Sequence, residues 1–223
     1  MERLHDRFGE HITWRLTEQY RMHEDIMAFP SAEFYGGQLT AHPSVAGHGL
    51  TDLPHYLGQA TMATPLHFLD TAGANYDEET EEGGESLLNR HEAQLVSELV
   101  GEYLAAGLAP QDLGIISPYA AQVRLLKRVL TSQDNVYSGI EVESIDGFQG
   151  REKELIIISL VRSNPEGTIG FLGEWRRFNV AFTRARRRLI VIGDSATLGH
   201  HDFFARWLDH VSALGAHGSV WER

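Results

Sequence analysis

The sequence predicts an α/β fold in which a mainly parallel sheet is covered by helices on both faces. Short hydrophobic runs of strand length, such as residues 113–117 and 154–161, are apolar at successive positions and are therefore expected to be buried on both faces. These runs alternate along the chain with segments whose apolar residues recur at helical spacing. Such alternation is typical of a parallel sheet packed between layers of helices. With 42% hydrophobic residues, the 223-residue chain is long enough for one large domain.

Six strands are predicted from the hydrophobic runs. They lie at residues 12–16, 66–69, 113–117, 139–145, 154–161 and 189–193. Each run is short and apolar and is followed by polar or glycine-containing sequence, which marks the end of a strand.

Five helices are predicted between these strands. They lie after His23, at 89–106, at 120–130, in the arginine-rich segment around Phe178, Phe182 and Ala185, and at 202–211. The helix at 89–106 has the clearest apolar stripe, and Gly107 is a natural stop after it. The helix after His23 is expected to break and restart at Pro30, because proline lacks the amide hydrogen that a helix interior needs.

Two segments do not follow either pattern, and the charge is unevenly distributed. The glycine-, proline- and histidine-rich stretch 36–64 is expected to be irregular, and the acidic stretch 73–86 is expected to be an exposed, mobile loop. The net charge of −12 by itself argues against a phosphate-rich partner. However, residues 76–85 carry six carboxylates and no base, whereas residues 176–188 carry six arginines and no acid. Because local fields decide binding, the arginine-rich segment remains a candidate anion site.

Several functional classes are disfavoured by what the sequence lacks. There is no cysteine, which excludes disulfides and any thiolate nucleophile or metal ligand. No apolar run approaches the length of a membrane span, and the charged N-terminus does not resemble a signal peptide, so a cytoplasmic protein is expected. The pair at His201 and Asp202 has no second cluster of ligands, so no metal site is predicted in this chain.

Polar segments follow the predicted strands, where open parallel sheets bind ligands. Tyr20 and Arg21 place an aromatic ring beside a guanidinium, and Gly150 permits close approach of the backbone to a ligand. Glu152 can accept a hydrogen bond from a hydroxyl group such as that of a ribose, and Arg184 can grip phosphate oxygens with two donors. These are the parts of half a nucleotide site, because no glycine-rich phosphate loop with its lysine occurs in the chain.

Three long blocks of sequence carry a family resemblance. The blocks "LTEQYRMHEDIMAFPSAEFY", "VESIDGFQGREKELIIISLVRSN" and "GFLGEWRRFNVAFTRARRRLIVIGD" resemble motifs IV, V and VI of superfamily 1 helicases. The most similar subgroup is the 5′-to-3′ one that includes the nonsense-mediated decay helicase, senataxin and the immunoglobulin mu-binding protein helicase. The segments "SLLNRHEA" and "LGIISPYAAQ" also match that subgroup, and the similarity extends from about residue 2 to about residue 199.

The resemblance implies that residues 1–223 form the second RecA-like domain of such a helicase, with the three-layer P-loop NTPase fold. In this family ATP binds between two RecA-like domains, and the first supplies the phosphate loop and the ligands of Mg²⁺. Neither is found in this sequence, so the chain is expected to be part of a longer helicase and inactive alone. The implied cofactor is ATP with Mg²⁺, and the implied partners are single-stranded DNA or RNA and the first RecA-like domain.

The resemblance also assigns roles to individual residues. Tyr20 is expected near the adenine, Arg21 and Arg184 at the γ-phosphate, and Gly150 and Glu152 at the ribose. A second set is expected to lie towards the nucleic-acid strand or to couple it to the ATP cleft. This set comprises Ser117, Tyr119, Gln122, Ser144, Asp146, Gln149 and Arg162.

Two other interpretations remain open at this point. The same fold could serve as a non-catalytic nucleic-acid-binding or adaptor module, although such a module has no reason to keep both phosphate-binding arginines. The chain could also belong to a helicase fused to a nuclease. On its expected helix, Arg184 lies beside the buried face, where packing can direct its guanidinium towards a cleft.

Overall fold

The computed structural model describes residues 16–131 and 137–223, so residues 12–15 of the first predicted strand lie outside the described residues. The strands, in chain order, are β1 Glu18–Gln19, β2 Thr40–Ala41, β3 Leu66–Asp70, β4 Glu79–Thr80, β5 Leu87–Leu88, β6 Leu113–Ser117, β7 Glu141–Ser144, β8 Lys153–Ser159, β9 Ala185–Gly193 and β10 His217–Ser219. The α-helices are α1 Glu24–Tyr35, α2 Pro43–Ala46, α3 Arg90–Ala105, α4 Ala120–Thr131, α5 Arg176–Phe182, α6 Ser195–Leu198 and α7 Asp202–Ala213. Short 3₁₀ turns occur at Leu50–Asp52, Ala60–Ala63, Pro110–Asp112, Gly170–Gly173 and Val220–Glu222.

Six strands form one sheet in the order β10-β3-β9-β8-β6-β7, and every neighbouring pair is parallel. The predicted α/β class with a parallel sheet is therefore confirmed. Because all six strands run the same way, their carboxyl ends share one edge of the sheet and their amino ends share the other. These are called the carboxyl edge, which includes Ser117, Ser144 and Ser159, and the amino edge, which includes Lys153 and Ala185.

Alternate residues of the central strands face two separate cores. In β8, Ile156 and Ile158 pack into one core with the aromatic residues of α1, α5 and α7. Ile157, between them, packs into the other core with α3 and α4. This division follows from the two-residue period of a strand and explains why β8 is apolar on both faces.

The predicted break in the first helix is wrong, since α1 continues through Pro30. Proline in a helix interior costs roughly 3 kcal/mol through its lost hydrogen bond and ring clash. Here Ile26, Phe29 and Pro30 itself are buried, and this packing compensates for the cost. The helix ends at Gly36, whose left-handed conformation (φ = 60°) closes the last turn.

The acidic stretch 73–86 is more ordered than the sequence suggests. Strands β4 and β5 form a short antiparallel hairpin within and beside it. Glu78 lies 2.8 Å from Arg162, Glu79 lies 3.0 Å from Arg90, and Glu81 pairs with Arg124. The segment is largely exposed, as predicted, but the hairpin and these ion pairs show that it is not a loop throughout.

The arginine-rich segment also differs from the prediction. Helix α5 ends at Phe182, and β9 begins at Ala185 rather than at residue 189. Ala185 pairs with Lys153, and the Lys153 amide donates to the Arg184 carbonyl at 3.1 Å, so sheet pairing extends the strand backwards. Arg184 therefore lies in the turn between helix and strand, and its expected place on a helix is wrong.

Candidate functional site

Four residues predicted to form a nucleotide site lie together at the amino edge. Glu152 immediately precedes β8 and Arg184 immediately precedes β9, and these two strands begin as neighbours. The Arg21 guanidinium forms an ion pair with the Glu152 carboxylate, and its Nη1 donates to the Thr183 carbonyl at 3.0 Å. Tyr20 is adjacent to Arg21 in the chain. Three distant segments of sequence therefore meet at this point.

Gln19 fixes the backbone that presents Arg21. Its Oε1 accepts hydrogen bonds from the backbone amides of Arg21 and Met22, each at 2.7 Å, and its Nε2 donates to the Met22 carbonyl at 2.8 Å. Gln19 lies in β1, which pairs with β2, so this turn is tied to a second segment. The positioning role of Gln19 was not predicted from the sequence, where only its place beside Tyr20 and Arg21 pointed to it.

Backbone carbonyls, rather than a carboxylate, hold the half-buried Arg184 side chain. Its Nε donates to the Val180 carbonyl at 2.9 Å and its Nη1 to the Arg151 carbonyl at 3.1 Å. Among the described residues, none supplies a carboxylate within ion-pairing distance of this guanidinium. Burial lowers the pKa of the Arg184 guanidinium and the positive charge of Arg21 lowers it further, while the Glu152 carboxylate opposes both effects. An anion placed beside these two cations would be stabilised by both.

Gly150 and Glu152 shape the loop that leads into β8. Gly150 has φ = +84°, a conformation that other residues rarely adopt, and the space that a side chain would take is open. The Glu152 carboxylate is partly exposed and also lies 3.7 Å from Arg186. The loop therefore offers an accessible hydrogen-bond acceptor with free space beside it.

The ring of Tyr20 stands in solvent at 60% exposure. It stacks on the His42 ring, with 4.3 Å between the centroids and 25° between the planes. The His42 amide donates to the Gln19 carbonyl at 2.9 Å, which fixes this histidine beside the tyrosine. His42 was not singled out from the sequence, because its segment showed no regular period. The stack is a supported aromatic surface next to Arg21.

The three arginines of β9 have partners within the fold. Arg186 lies 3.2 Å from the Glu154 carboxylate, and Arg187 lies 2.6 Å from the same group. Arg188 is buried and donates to the Thr64 hydroxyl at 2.6 Å. These arginines stabilise the strand, and they leave Arg184 as the residue of the cluster that faces Arg21.

The amino-edge residues fit a phosphate-bearing ligand with an aromatic ring. Arg184 is held by two backbone carbonyls and has no carboxylate at ion-pairing distance among the described residues, whereas Arg21 is held by the Thr183 carbonyl and paired with Glu152. Glu152 supplies an acceptor and Tyr20 an exposed ring on the same side of the domain. The side chains lie on an open surface, with Glu152 and Arg21 partly exposed.

Most residues predicted to lie towards nucleic acid are near the carboxyl edge, whereas Gln149 is in the loop between β7 and β8. The members of this set also differ in burial. Ser117, Gln122 and Arg162 are buried. The Gln122 amide donates to the Asn89 carbonyl and to the Ser159 hydroxyl, each at 3.0 Å, and its Oε1 accepts from the Asn89 amide at 2.9 Å. In this structure these three buried side chains can support the residues of a nucleic-acid-binding surface, but they do not themselves form that surface.

The other members of this set are nearer to solvent. Asp146 and Gln149 are exposed, and Ser144 is partly exposed at the end of β7. Asp146 forms an ion pair with Arg177 of α5. Tyr119 is largely buried, and its hydroxyl donates to a backbone carbonyl at 3.4 Å. Of the exposed members, Asp146 is therefore in direct contact with α5.

The two predicted sets lie mainly at opposite edges of the sheet and meet in the loop between β7 and β8, where Gln149 and Gly150 are consecutive. Polar segments at carboxyl ends of strands suggested a single crevice, but Glu152 and Arg184 precede strands β8 and β9. The seven residues of β8 span about 20 Å, which is the approximate separation of the two edges. The loop between β7 and β8 runs from one edge to the other and contributes residues to both.

A buried polar network near the carboxyl edge was missed from the sequence. Glu92 is fully buried, and its carboxylate accepts hydrogen bonds from the Ser159 hydroxyl and from the Val161 amide at 3.0 Å. Val161 has φ = +74°, a strained conformation for a β-branched residue. The sequence did indicate that Glu92 is buried, because Glu92 precedes Leu95 by three positions and so lies on the apolar stripe of α3.

Within the described ranges, no cluster of three or more histidine, aspartate or glutamate side chains is placed to hold a metal ion. None of the helices described is both long and apolar enough to cross a bilayer.

A family model described as an AAA domain matches residues 1–196. The chain belongs to this AAA domain family. Its membership agrees with the resemblance of its motifs to the 5′-to-3′ subgroup of superfamily 1 helicases, which is thereby confirmed.

Curated relatives of this AAA domain are much longer proteins. It is 44% identical over 222 residues to the DNA-binding protein SMUBP-2 of Mus musculus, and the match covers all of this chain and 22% of that protein. It is 43% identical over 219 residues to the DNA polymerase alpha-associated DNA helicase A of Schizosaccharomyces pombe, covering 94% of the chain and 32% of the relative. It is 39% identical over 200 residues to a regulator of nonsense transcripts 1 homolog of Neurospora crassa, and this match covers 88% of the chain and 18% of the relative.

Proposed function

We propose that this AAA domain is the second RecA-like motor domain of an ATP-dependent nucleic-acid helicase. It forms one wall of an ATP site whose phosphate loop and Mg²⁺ ligands come from a first RecA-like domain of the same polypeptide. The observation that carries the proposal is the convergence of Arg21 and Arg184 at the amino edge, with Arg184 held by carbonyls and given no carboxylate partner among the described residues.

The side chains of this wall have separate tasks. Arg21 and Arg184 hold the terminal phosphate, and their two positive charges stabilise the charge that develops on it during transfer. Glu152 accepts a hydrogen bond from the ribose and, through its ion pair, keeps Arg21 in place. Tyr20, supported by His42, stacks on the adenine face. Bound ATP supplies the free energy of hydrolysis, and the first domain supplies the metal.

Single-stranded DNA or RNA is the proposed partner of the carboxyl edge. The names of the relatives support this assignment, since they describe a DNA-binding protein and a DNA helicase. The loop between β7 and β8 connects the two edges, with Glu152 at one end and Ser144 at the other. We propose that closure of the ATP cleft moves this loop and changes the grip on the strand.

The 223-residue chain alone is expected not to hydrolyse ATP, because the phosphate loop and metal ligands of the proposed site are missing from its sequence. Phosphate release from Mg²⁺-ATP by the purified chain, with and without oligothymidine, measures this directly. An Arg184→Ala chain is the control for contaminating ATPases, because contamination is unaffected by the change. If the purified chain hydrolyses ATP and the Arg184→Ala chain does not, the proposal that the ATP site needs two domains is contradicted.

A further inference from the structure

An aromatic side chain near the carboxyl edge is largely exposed to solvent. Phe171 is 59% exposed, although its neighbours Ile169 and Leu172 pack into the core. It lies in the 3₁₀ turn Gly170–Gly173, which follows the segment after β8. Much of the Phe171 ring is therefore accessible to a ligand, and its neighbours decide which kind of ligand it suits.

Hydrogen bonds hold the residues that immediately precede the turn presenting Phe171. The Asn164 side chain accepts from the Thr168 amide and donates to the Thr168 carbonyl, each at 2.8 Å. The Tyr119 hydroxyl donates to the Ile169 carbonyl at 3.4 Å. A ring on a supported turn loses little conformational freedom on binding, which is the condition for a preformed contact surface.

The surroundings of the ring suit an unpaired nucleic-acid base. The Arg177 guanidinium lies 5.8 Å from the centre of the Phe171 ring, and the Tyr119 ring meets it edge-on at 6.4 Å. Arg177 also pairs with Asp146, an exposed residue of the predicted nucleic-acid set. Arg177 also lies 3.4 Å from Glu174, so two carboxylates balance its charge, and the contact that the ring offers to a base is stacking.

We propose that Phe171 is a stacking platform for one base of a single strand, with Arg177 beside it. This rests on the proposed function, since it places the strand along the carboxyl edge. Stacking on an aromatic ring is tolerant of base identity, so this contact serves binding along a strand rather than recognition of a sequence.

The test measures binding of the full-length protein, without nucleotide, to short fluorescent oligothymidine. Phe171→Ala is expected to weaken affinity about 5- to 150-fold, the loss of one stacked base, while Phe171→Trp retains it. The dependence of affinity on salt is expected to keep its slope, because no phosphate contact is removed. Trp221→Ala, which removes another exposed ring beyond β10 at the far end of the sheet, is the matched control.

Binding to an oligonucleotide that carries abasic sites along its length tests whether Phe171 contacts a base by stacking. Wild-type protein is expected to lose affinity for it, and Phe171→Ala is expected to lose less, because the stacking contact is already absent. Equal affinity of wild type and Phe171→Ala for oligothymidine would overturn the platform while leaving the proposed helicase function intact. Absence of oligonucleotide binding by both wild type and Trp221→Ala would instead contradict the proposed function, and the platform with it.

Discussion

Replacing Arg184 with alanine in the full-length protein is expected to reduce ATP turnover about 10³- to 10⁵-fold, the contribution of an arginine finger. The reason is positional as well as electrostatic. Two carbonyls fix the guanidinium next to Arg21, so the charge is already oriented when phosphate arrives. Steady-state phosphate release in the presence of saturating oligonucleotide measures the effect.

Two further variants define the cause of the loss. Arg184→Lys keeps the charge without the planar fork of donors and is expected to restore little activity. Arg176→Ala removes an exposed arginine that lies over the Trp175 ring and is the matched control, with near-normal turnover. Affinity for single strands is expected to be similar in all three variants, because Arg184 is at the amino edge. Near-normal ATPase activity of Arg184→Ala would refute its assignment.

The second large effect concerns Glu92 and the pH dependence of stability. Burial raises the pKa of the Glu92 carboxyl from 4.5 to about 7, against the opposing effect of hydrogen bonds from Ser159 and Val161, and the charge of Asp194 raises it further. The folded protein therefore retains a proton that the unfolded chain releases. Stability from this group is full below pH 4.5 and is lost as pH rises to about 7.

Glu92→Gln is expected to remove this dependence, because the amide does not ionise. Relative to the variant, wild-type protein is expected to lose about 3 kcal/mol of unfolding free energy between pH 4 and pH 8. Urea denaturation of the chain at a series of pH values gives the difference between the two curves. Glu82→Gln, which removes an exposed carboxylate, is the control. Parallel curves for wild type and Glu92→Gln would show that Glu92 is not protonated in the folded state at neutral pH.

Much of the sheet could be predicted from the sequence because its strands are fully buried. The strand at 113–117 is observed with the predicted limits, and β8 differs by one or two residues at each end. Errors arose where tertiary packing overrides local preference. Pro30 continues a helix because its face is buried, and β9 starts at Ala185 because it pairs with Lys153.

The site was less predictable because its parts depend on long-range contacts. Motif resemblance brought Arg21, Glu152 and Arg184 to attention, and the structure brings them together. Their location at the amino edge could not be read from the rule that ligands bind at carboxyl ends. Gln19 and Glu92 act through contacts with backbone, and a single sequence shows such contacts only weakly.

The ATP site itself is tested most directly by a structure of the full-length protein with Mg²⁺, ADP and a planar fluoride mimic of the transferring phosphoryl group. The guanidiniums of Arg21 and Arg184 are expected to donate hydrogen bonds to the mimic, with the Tyr20 ring against the adenine. If the mimic is bound but both guanidiniums remain distant from it, with Arg21 still bonded to Thr183 and Glu152 and Arg184 to Val180 and Arg151, the proposed role of this domain in ATP hydrolysis is contradicted.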